Sequence, residues 1–219
     1  MTDNREGRFM PQGIRDGQSP GQDRFCPWCY LCTVRVERLR AAYQIDVKYT
    51  HFPLHPDTPS EGLTLEQLFA GRDIDVLAAK AHMVQLMADE GLPYGDRTMT
   101  YNSRLAQELA KWAVTQPGGG AIHDALFRAY FVDGLNIALA DTLVRLAEQV
   151  GLPSVEAREA LDSRRFKDAV DADWKRSREL GVTGVPTFVV GDQVVVGAQP
   201  HEVLEKLVVE AGRAAGDPS

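Results

Sequence analysis

Cysteine is scarce in this chain, and all three cysteines lie between positions 26 and 32. A disulfide-stabilised scaffold needs cysteines spread along the sequence, so that class of protein is excluded. Long apolar runs are also missing, since none approaches the roughly 20 residues that cross a bilayer. The polar, glycine-rich stretch 1–20 lacks the apolar core of a secretion signal. We therefore expect a cytoplasmic protein with no membrane partner.

Positive charge is in deficit. Lysine and arginine number 24 against 31 acidic residues, which gives a net charge of -7. Nucleic acids and anionic membrane surfaces recruit basic faces, so neither is an expected partner. The 219 residues, 44% hydrophobic and 25% charged, match an ordinary globular protein that is long enough to build a core.

The chain instead offers a pair of thiols two residues apart, Cys26-Pro27-Trp28-Cys29. Apolar residues at helical spacing follow, so the pair is predicted to open a helix, with Pro27 in its first turn. The positive end of a helix stabilises a thiolate. We expect Cys26 to be an exposed nucleophile and Cys29, one turn deeper, to resolve its mixed disulfide.

The third thiol, Cys32, lies one further turn along the predicted helix. A buried apolar role is favoured, because free cysteine is often buried. Exchange with Cys29 and protection against overoxidation stay open as alternatives. An iron–sulfur cluster would need a fourth cysteine, and zinc ligation with His51 or His55 fits no common spacing. No metal and no cofactor are therefore expected.

Periodicity divides the rest of the chain into three parts. Alternating apolar residues predict a strand over 45–52. Helices are predicted from 63 to about 177, among them 75–90, a helix capped by Asn102, 122–131, one from Asp141, 154–161 and 166–180. A hairpin over 184–197 and a last helix from Pro200 complete the order. Residues 1–24 are predicted as coil, with no apolar strand before the thiols.

Three motifs in this order resemble the DsbA-like thioredoxin family. They are Cys26-Pro27-Trp28-Cys29-Tyr30, Phe52-x-Leu54-x-Pro56 with Gly62, and Gly181-Val182-Thr183-Gly184-Val185-Pro186-Thr187-Phe188 followed by Gly197-Ala198-Gln199-Pro200. The closest branch holds FrnE-type oxidoreductases and 2-hydroxychromene-2-carboxylate isomerases. The resemblance covers roughly 25–210.

The resemblance implies an α/β, thioredoxin-like fold that is interrupted by an inserted all-helical domain. The discontinuous thioredoxin-like domain would span 25–62 and 178–212, the insertion 63–177, and an irregular segment 1–24. The family's first strand is then absent or degenerate in this sequence.

The function implied is thiol–disulfide oxidoreductase, with Cys26 and Cys29 catalytic and Pro27 part of the active-site motif. Trp28, Val185 and a cis Pro186 would contact the substrate, a protein or small-molecule thiol or disulfide such as glutathione. Tyr94, Met99 and Tyr101 are candidates to line a groove, although packing within the loop is the favoured interpretation.

Two other functions stay open. The resemblance also implies a glutathione-dependent isomerase or transferase. Those relatives generally carry a serine where this chain has Cys26 and lack the second cysteine, so the intact pair favours redox chemistry. A non-enzymatic binding protein is the third hypothesis, and it applies if the first strand is lost.

Overall fold

The structure is a computed structural model that describes residues 26–216. The predicted coil over 1–24 and the question of the first strand lie outside these residues. Helix α1 runs from Pro27 to Tyr43 and ends where Gln44 takes a left-handed conformation (φ 51°) and donates its N–H to the carbonyl of Arg40. The predicted helix with Pro27 in its first turn is therefore confirmed.

The predicted strand over 45–52 is wrong for the described part of the chain, where only Thr50 forms a single bridge. The alternation that suggested it is present, because Ile45 and Val47 are half-buried while Asp46 and Lys48 are exposed. Alternation shows that one face of an extended segment meets the core. It does not show whether that segment forms the regular ladder of hydrogen bonds that defines a strand.

Within the described residues, seven α-helices and one short 3-10 helix, Gly119–Ala121, follow before the hairpin. Thr64 caps α2 with a capping box that involves Gln67, and the Asp75 carboxylate caps α3 by accepting from the N–H of Ala78. The helices are α2 Leu65–Leu68, α3 Val76–Asp89, α4 Arg104–Ala113, α5 Ile122–Phe131, α6 Ala140–Gln149, α7 Ser154–Asp162 and α8 Lys167–Glu179.

The helical region holds one interruption that the sequence did not predict. Strand β1, Leu63–Thr64, pairs antiparallel with β2, Met99–Thr100. Gly62 precedes β1 with φ 88°, and a Cβ there would lie 2.5 Å from the ring of Tyr101. This small ladder ties the segment between α3 and α4 to the start of the helical region.

The hairpin and the last helix agree with the prediction. Strands β3, Thr187–Val190, and β4, Gln193–Val196, pair antiparallel from Thr187↔Val196 to Val190↔Gln193. Gly191 turns between them at φ 63°. Helix α9 spans His201–Gly216 and packs on the hairpin and on α1.

Helix α1 contributes to two separate hydrophobic cores. Cys26, Cys29, Tyr30 and Leu31 join a core built mainly from helices α3 to α7. The later residues of α1 join a second core with β3 and α9, formed by Cys32, Val36, Leu39, Phe188, Leu204, Leu207 and Val208. The thiol pair therefore lies where the helical region meets the hairpin region.

Candidate active site

The thiol pair lies at the first turn of α1. Cys26 is the N-cap residue in an extended conformation (φ -93°, ψ 126°), and Pro27 opens the helix. The carbonyl of Cys26 accepts from the N–H of Cys29 at 2.9 Å and from that of Tyr30 at 3.2 Å. Proline has no N–H, so the N–H of Trp28 is the remaining donor of this turn. The two cysteines are one turn apart and no disulfide joins them.

A segment distant in sequence closes over the first thiol. The Val185–Pro186 peptide bond is cis, the isomer that the resemblance implies. The Cys26 thiol donates to the carbonyl oxygen of Val185 across 3.6 Å. Pro186 in turn accepts from the N–H of Gly197 at 2.7 Å, which fixes this segment to the end of β4.

The expectation of an exposed Cys26 is wrong, because only 5% of this residue is accessible and Cys29 is fully buried. The physical reason is tertiary: Val185 lies against the sulfur, and the first core packs from the other side. The position of a thiol at the start of a helix indicates the electrostatic potential at its sulfur. It does not indicate which distant parts of the chain cover that sulfur.

Trp28 is the exposed member of the motif, with 39% of its surface accessible. Its ring lies 6.3 Å from the ring of His82 on α3 at an angle of 56°. Trp28 therefore forms part of the surface between the thiols and the helical region.

Cys32 does not converge with the pair. It is fully buried in the second core, one helical turn beyond Cys29. Burial raises the pKa of its thiol to about 12, partly offset by the charge of Arg35. A thiol that stays protonated at physiological pH is a poor nucleophile. Of the roles left open, the structure supports the buried apolar one.

The loop between α3 and α4 approaches the thiols from the helical side. Tyr94 stacks on Phe131 at 6.0 Å, and Tyr30 stacks on the same ring at 5.4 Å. Burial raises the pKa of the Tyr94 hydroxyl, the charge of Arg97 lowers it, and Cys26 contributes a smaller increase. The Tyr94 hydroxyl therefore lies close enough to Arg97 and Cys26 for both to affect its pKa.

The candidate groove residues are partly confirmed as packing residues. Tyr94 and Tyr101 are half-buried against the first core. Arg97, which the sequence analysis did not single out, contacts the Met99 carbonyl and the Tyr130 hydroxyl, each at 3.0 Å. The sequence does contain a signal for Arg97, because it is the cationic residue in the otherwise largely aromatic and polar stretch 93–101.

Within residues 26–216, no three histidine, cysteine or acidic side chains gather as a metal ion would require. His55 lies near Arg72 and Arg97 and not within a set of metal ligands. Its pKa is lowered mainly by burial and, to a smaller extent, by the charges of these two arginines. The same part of the chain contains no helix with the length and hydropathy needed to cross a membrane.

Comparisons with known proteins agree with this geometry. A family model described as the DSBA-like thioredoxin domain matches residues 22–209. The uncharacterized protein YwbO of Bacillus subtilis (strain 168) is 29% identical over 193 residues, which cover 85% of this chain and 92% of that protein.

Solved structures show the same likeness. The probable DsbA oxidoreductase SCO1869 of Streptomyces coelicolor superposes with a TM-score of 0.82 at 29% identity, over 91% of this chain and 90% of that one. A 2-hydroxychromene-2-carboxylate isomerase superposes with a TM-score of 0.70 at 20% identity, over 90% and 96% of the two chains, and is similar in fold alone. The chain therefore belongs to the DSBA-like thioredoxin domain family and has that family's thioredoxin-like fold with a helical insertion.

Proposed function

We propose that this protein is a thiol–disulfide oxidoreductase in which Cys26 is the nucleophile and Cys29 the resolving thiol. The observation that carries the proposal is the arrangement at the start of α1. Cys26 occupies the N-cap, Cys29 follows one turn later, and the cis Val185–Pro186 segment contacts the first sulfur. Helix N-termini favour thiolates, and the thiolate is the reactive form in disulfide exchange.

The exchange takes two steps. The Cys26 thiolate attacks one sulfur of a substrate disulfide, so a Cys26–substrate disulfide forms and the other substrate half leaves as a thiolate. The Cys29 thiolate then attacks Cys26 Sγ, and the second substrate half leaves. Two electrons pass from the protein dithiol to the substrate, and the leaving thiolates take up the two protons. An external thiol such as glutathione returns the protein to the dithiol state by the reverse steps.

Trp28, Val185 and Pro186 would contact the substrate, whereas Pro27 belongs to the active-site motif. Trp28 presents an exposed ring beside the pair, and Pro27 fixes the backbone between the two thiols. Val185 and Pro186 lie against Cys26 just before β3, where an extended substrate segment can align its backbone with the chain.

The three cysteines provide the test together with its control. We expect reduction of 2-hydroxyethyl disulfide, followed with excess glutathione, to fall to the uncatalysed rate in Cys26→Ser. Cys29→Ser should accumulate one mixed disulfide per chain at Cys26, visible by intact mass. Cys32→Ala should keep activity within about twofold, because its buried thiol faces the second core.

Activity that survives in Cys26→Ser would overturn the proposal, as would a folded wild-type protein that reduces neither this disulfide nor insulin. The Cys29→Ser variant also separates the two enzymatic hypotheses. Glutathione-dependent isomerisation needs no resolving thiol, so an isomerase would keep its activity in that variant. Disulfide reduction would slow instead, because only external glutathione could then release the mixed disulfide at Cys26.

A further inference from the structure

The loop 93–101, which carries Tyr94 and Arg97, is held firmly beside the thiols. The Tyr30 hydroxyl donates to the carbonyl of Pro93 at 3.1 Å. The N–H of Gly95 donates to the carbonyl of Phe131 at 2.8 Å. At its end the loop becomes β2, which pairs with β1. Side chains on this loop therefore keep a fixed position relative to α1.

Arg97 carries a charge that no carboxylate neutralises within residues 26–216. Its guanidinium lies over the rings of Tyr130 at 4.8 Å and Phe131 at 5.3 Å, and its hydrogen bonds go to neutral oxygens. Its Nε is buried without an acceptor in this part of the chain. By contrast, the half-buried Arg35 and Arg104 each form an ion pair at 2.7–2.8 Å.

The surroundings of Arg97 are electropositive in a protein whose net charge is -7. Arg72 and Arg97 both lower the pKa of His55, after the larger effect of burial. The nearest carboxylate in sequence, Asp96, is paired with Lys80 instead. A half-buried guanidinium in such a place favours an anion from outside the chain.

Arg97 is connected to the thiol turn of α1 through Phe131. Its guanidinium lies 5.3 Å from the centre of the Phe131 ring, and the ring of Tyr30, the residue after Cys29, stacks on the same ring at 5.4 Å. Tyr94 itself packs against Phe131, the ring that Arg97 covers. An anion bound at Arg97 would therefore lie beside a disulfide held at Cys26.

We propose that Arg97, positioned with Tyr94, binds a carboxylate of the substrate. The preferred substrate would then be a small disulfide or mixed disulfide that bears a carboxylate near its sulfur. This inference rests on the proposed function and deepens it. Arg97 suits the role because its planar guanidinium matches a carboxylate and is only partly covered by its neighbours.

Alkylation of Cys26 tests the site without redox turnover. Iodoacetate and iodoacetamide react in the same way, since an S–C bond forms, the C–I bond breaks and iodide leaves. They differ in one negative charge. Rates at Cys26 in the reduced protein are measured by peptide mass spectrometry for both reagents. The ratio of the iodoacetate rate to the iodoacetamide rate then reports anion binding near the sulfur, whatever the thiolate fraction.

In the native protein this ratio should exceed the ratio for the neutral reference thiol N-acetylcysteine amide, despite the acidic net charge. Arg97→Gln should lower it by about tenfold, the size of one charge-assisted contact. Arg97→Lys should restore part of it, because the positive charge remains. The control Arg145→Gln removes an exposed positive charge on α6 and should leave the ratio unchanged.

A native ratio at or below that of N-acetylcysteine amide would overturn the inference. So would equal losses for both reagents in Arg97→Gln and Arg97→Lys, which would assign Arg97 to loop packing alone.

Turnover separates this inference from the proposed function. We expect 3,3′-dithiodipropionate to be reduced with a higher kcat/KM than the neutral 2-hydroxyethyl disulfide, and Arg97→Gln to remove that preference. Reduction of the neutral disulfide without any preference would overturn the anion site and leave the oxidoreductase standing. If the native protein reduces neither disulfide and Cys26 reacts with neither reagent, both proposals are wrong.

Discussion

Gly95 is the position where one added methyl group should disturb both stability and the candidate site. A Cβ there would lie 2.1 Å from the carbonyl oxygen of Val132 and 2.9 Å from its carbon. Cβ atoms essentially never approach closer than 3.0 Å, so Gly95→Ala has to move the loop by roughly 1 Å. Val132 belongs to the rigid end of α5 and cannot yield as a flexible side chain would.

Two costs follow from that movement. Overpacking of this kind costs about 1–3 kcal/mol. Weakening the 2.8 Å hydrogen bond from Gly95 to Phe131 adds about 0.5–1.5 kcal/mol. We therefore expect the free energy of unfolding to fall by roughly 2–4 kcal/mol. For a chain of this length that corresponds to about 5–15 °C in Tm.

Urea unfolding followed by circular dichroism measures the loss, with Gly120→Ala as the matched control. A Cβ at Gly120 meets nothing within 4 Å, so this variant should change stability by less than about 0.5 kcal/mol. Tyr94 precedes Gly95 and Arg97 follows it two residues later, so Gly95→Ala should also reduce the preference of Cys26 for iodoacetate. Equal stabilities for the two alanine variants would refute the reasoning.

Two further predictions concern buried charge and buried thiol. Glu108 is 1% exposed and accepts hydrogen bonds from Arg104 and Arg164 at 2.7–2.8 Å. Glu108→Gln should therefore lower the free energy of unfolding in urea by about 3–5 kcal/mol. The control Asp171→Asn removes a half-exposed carboxylate and should cost about 1 kcal/mol or less. Comparable losses would contradict this. Because burial raises the pKa of Cys32 from 9.0 to about 12, the unfolded chain releases this proton first. Stability should therefore fall by up to about 1.4 kcal/mol per pH unit above pH 9. Cys32→Ala should remove that slope, and an unchanged slope would show that Cys32 is not its source.

Local signals predicted most of the helices. The bounds of α5 are those expected, 122–131, and α3 begins after the Asp75 cap and ends before Gly91. Capping groups, glycine and proline act within a few residues, so the sequence alone contains the information. Asn102 shows the limit of this precision. Its side chain accepts from the N–H of Arg104, while Ser103 is the N-cap residue.

Features that depend on distant partners were harder to predict. The segment 45–52 has the alternation of a strand, but pairing depends on which neighbour lies beside it. The two-residue strands β1 and β2 are too short for any periodicity. The thiol motif was visible in the sequence, whereas the burial of Cys26 follows from Val185, 159 residues away. The proposed anion site at Arg97 was also hard to predict, because it depends on which charged side chains lack a counterion once the chain has folded.

Helix α1 packs into both hydrophobic cores, and this limits how its thiols can meet a substrate. One turn of this helix carries the thiols into the first core, and the next residues anchor it in the second. Arg35 also holds α1 in place, because its side chain donates to the Glu90 carboxylate at 2.7 Å and to the carbonyl of Gln199 at 2.6 Å. The helix therefore cannot swing outward to meet a disulfide. Under the proposed function, the substrate would have to supply the mobility, which would favour small molecules and loosely folded chains over disulfides fixed inside compact proteins.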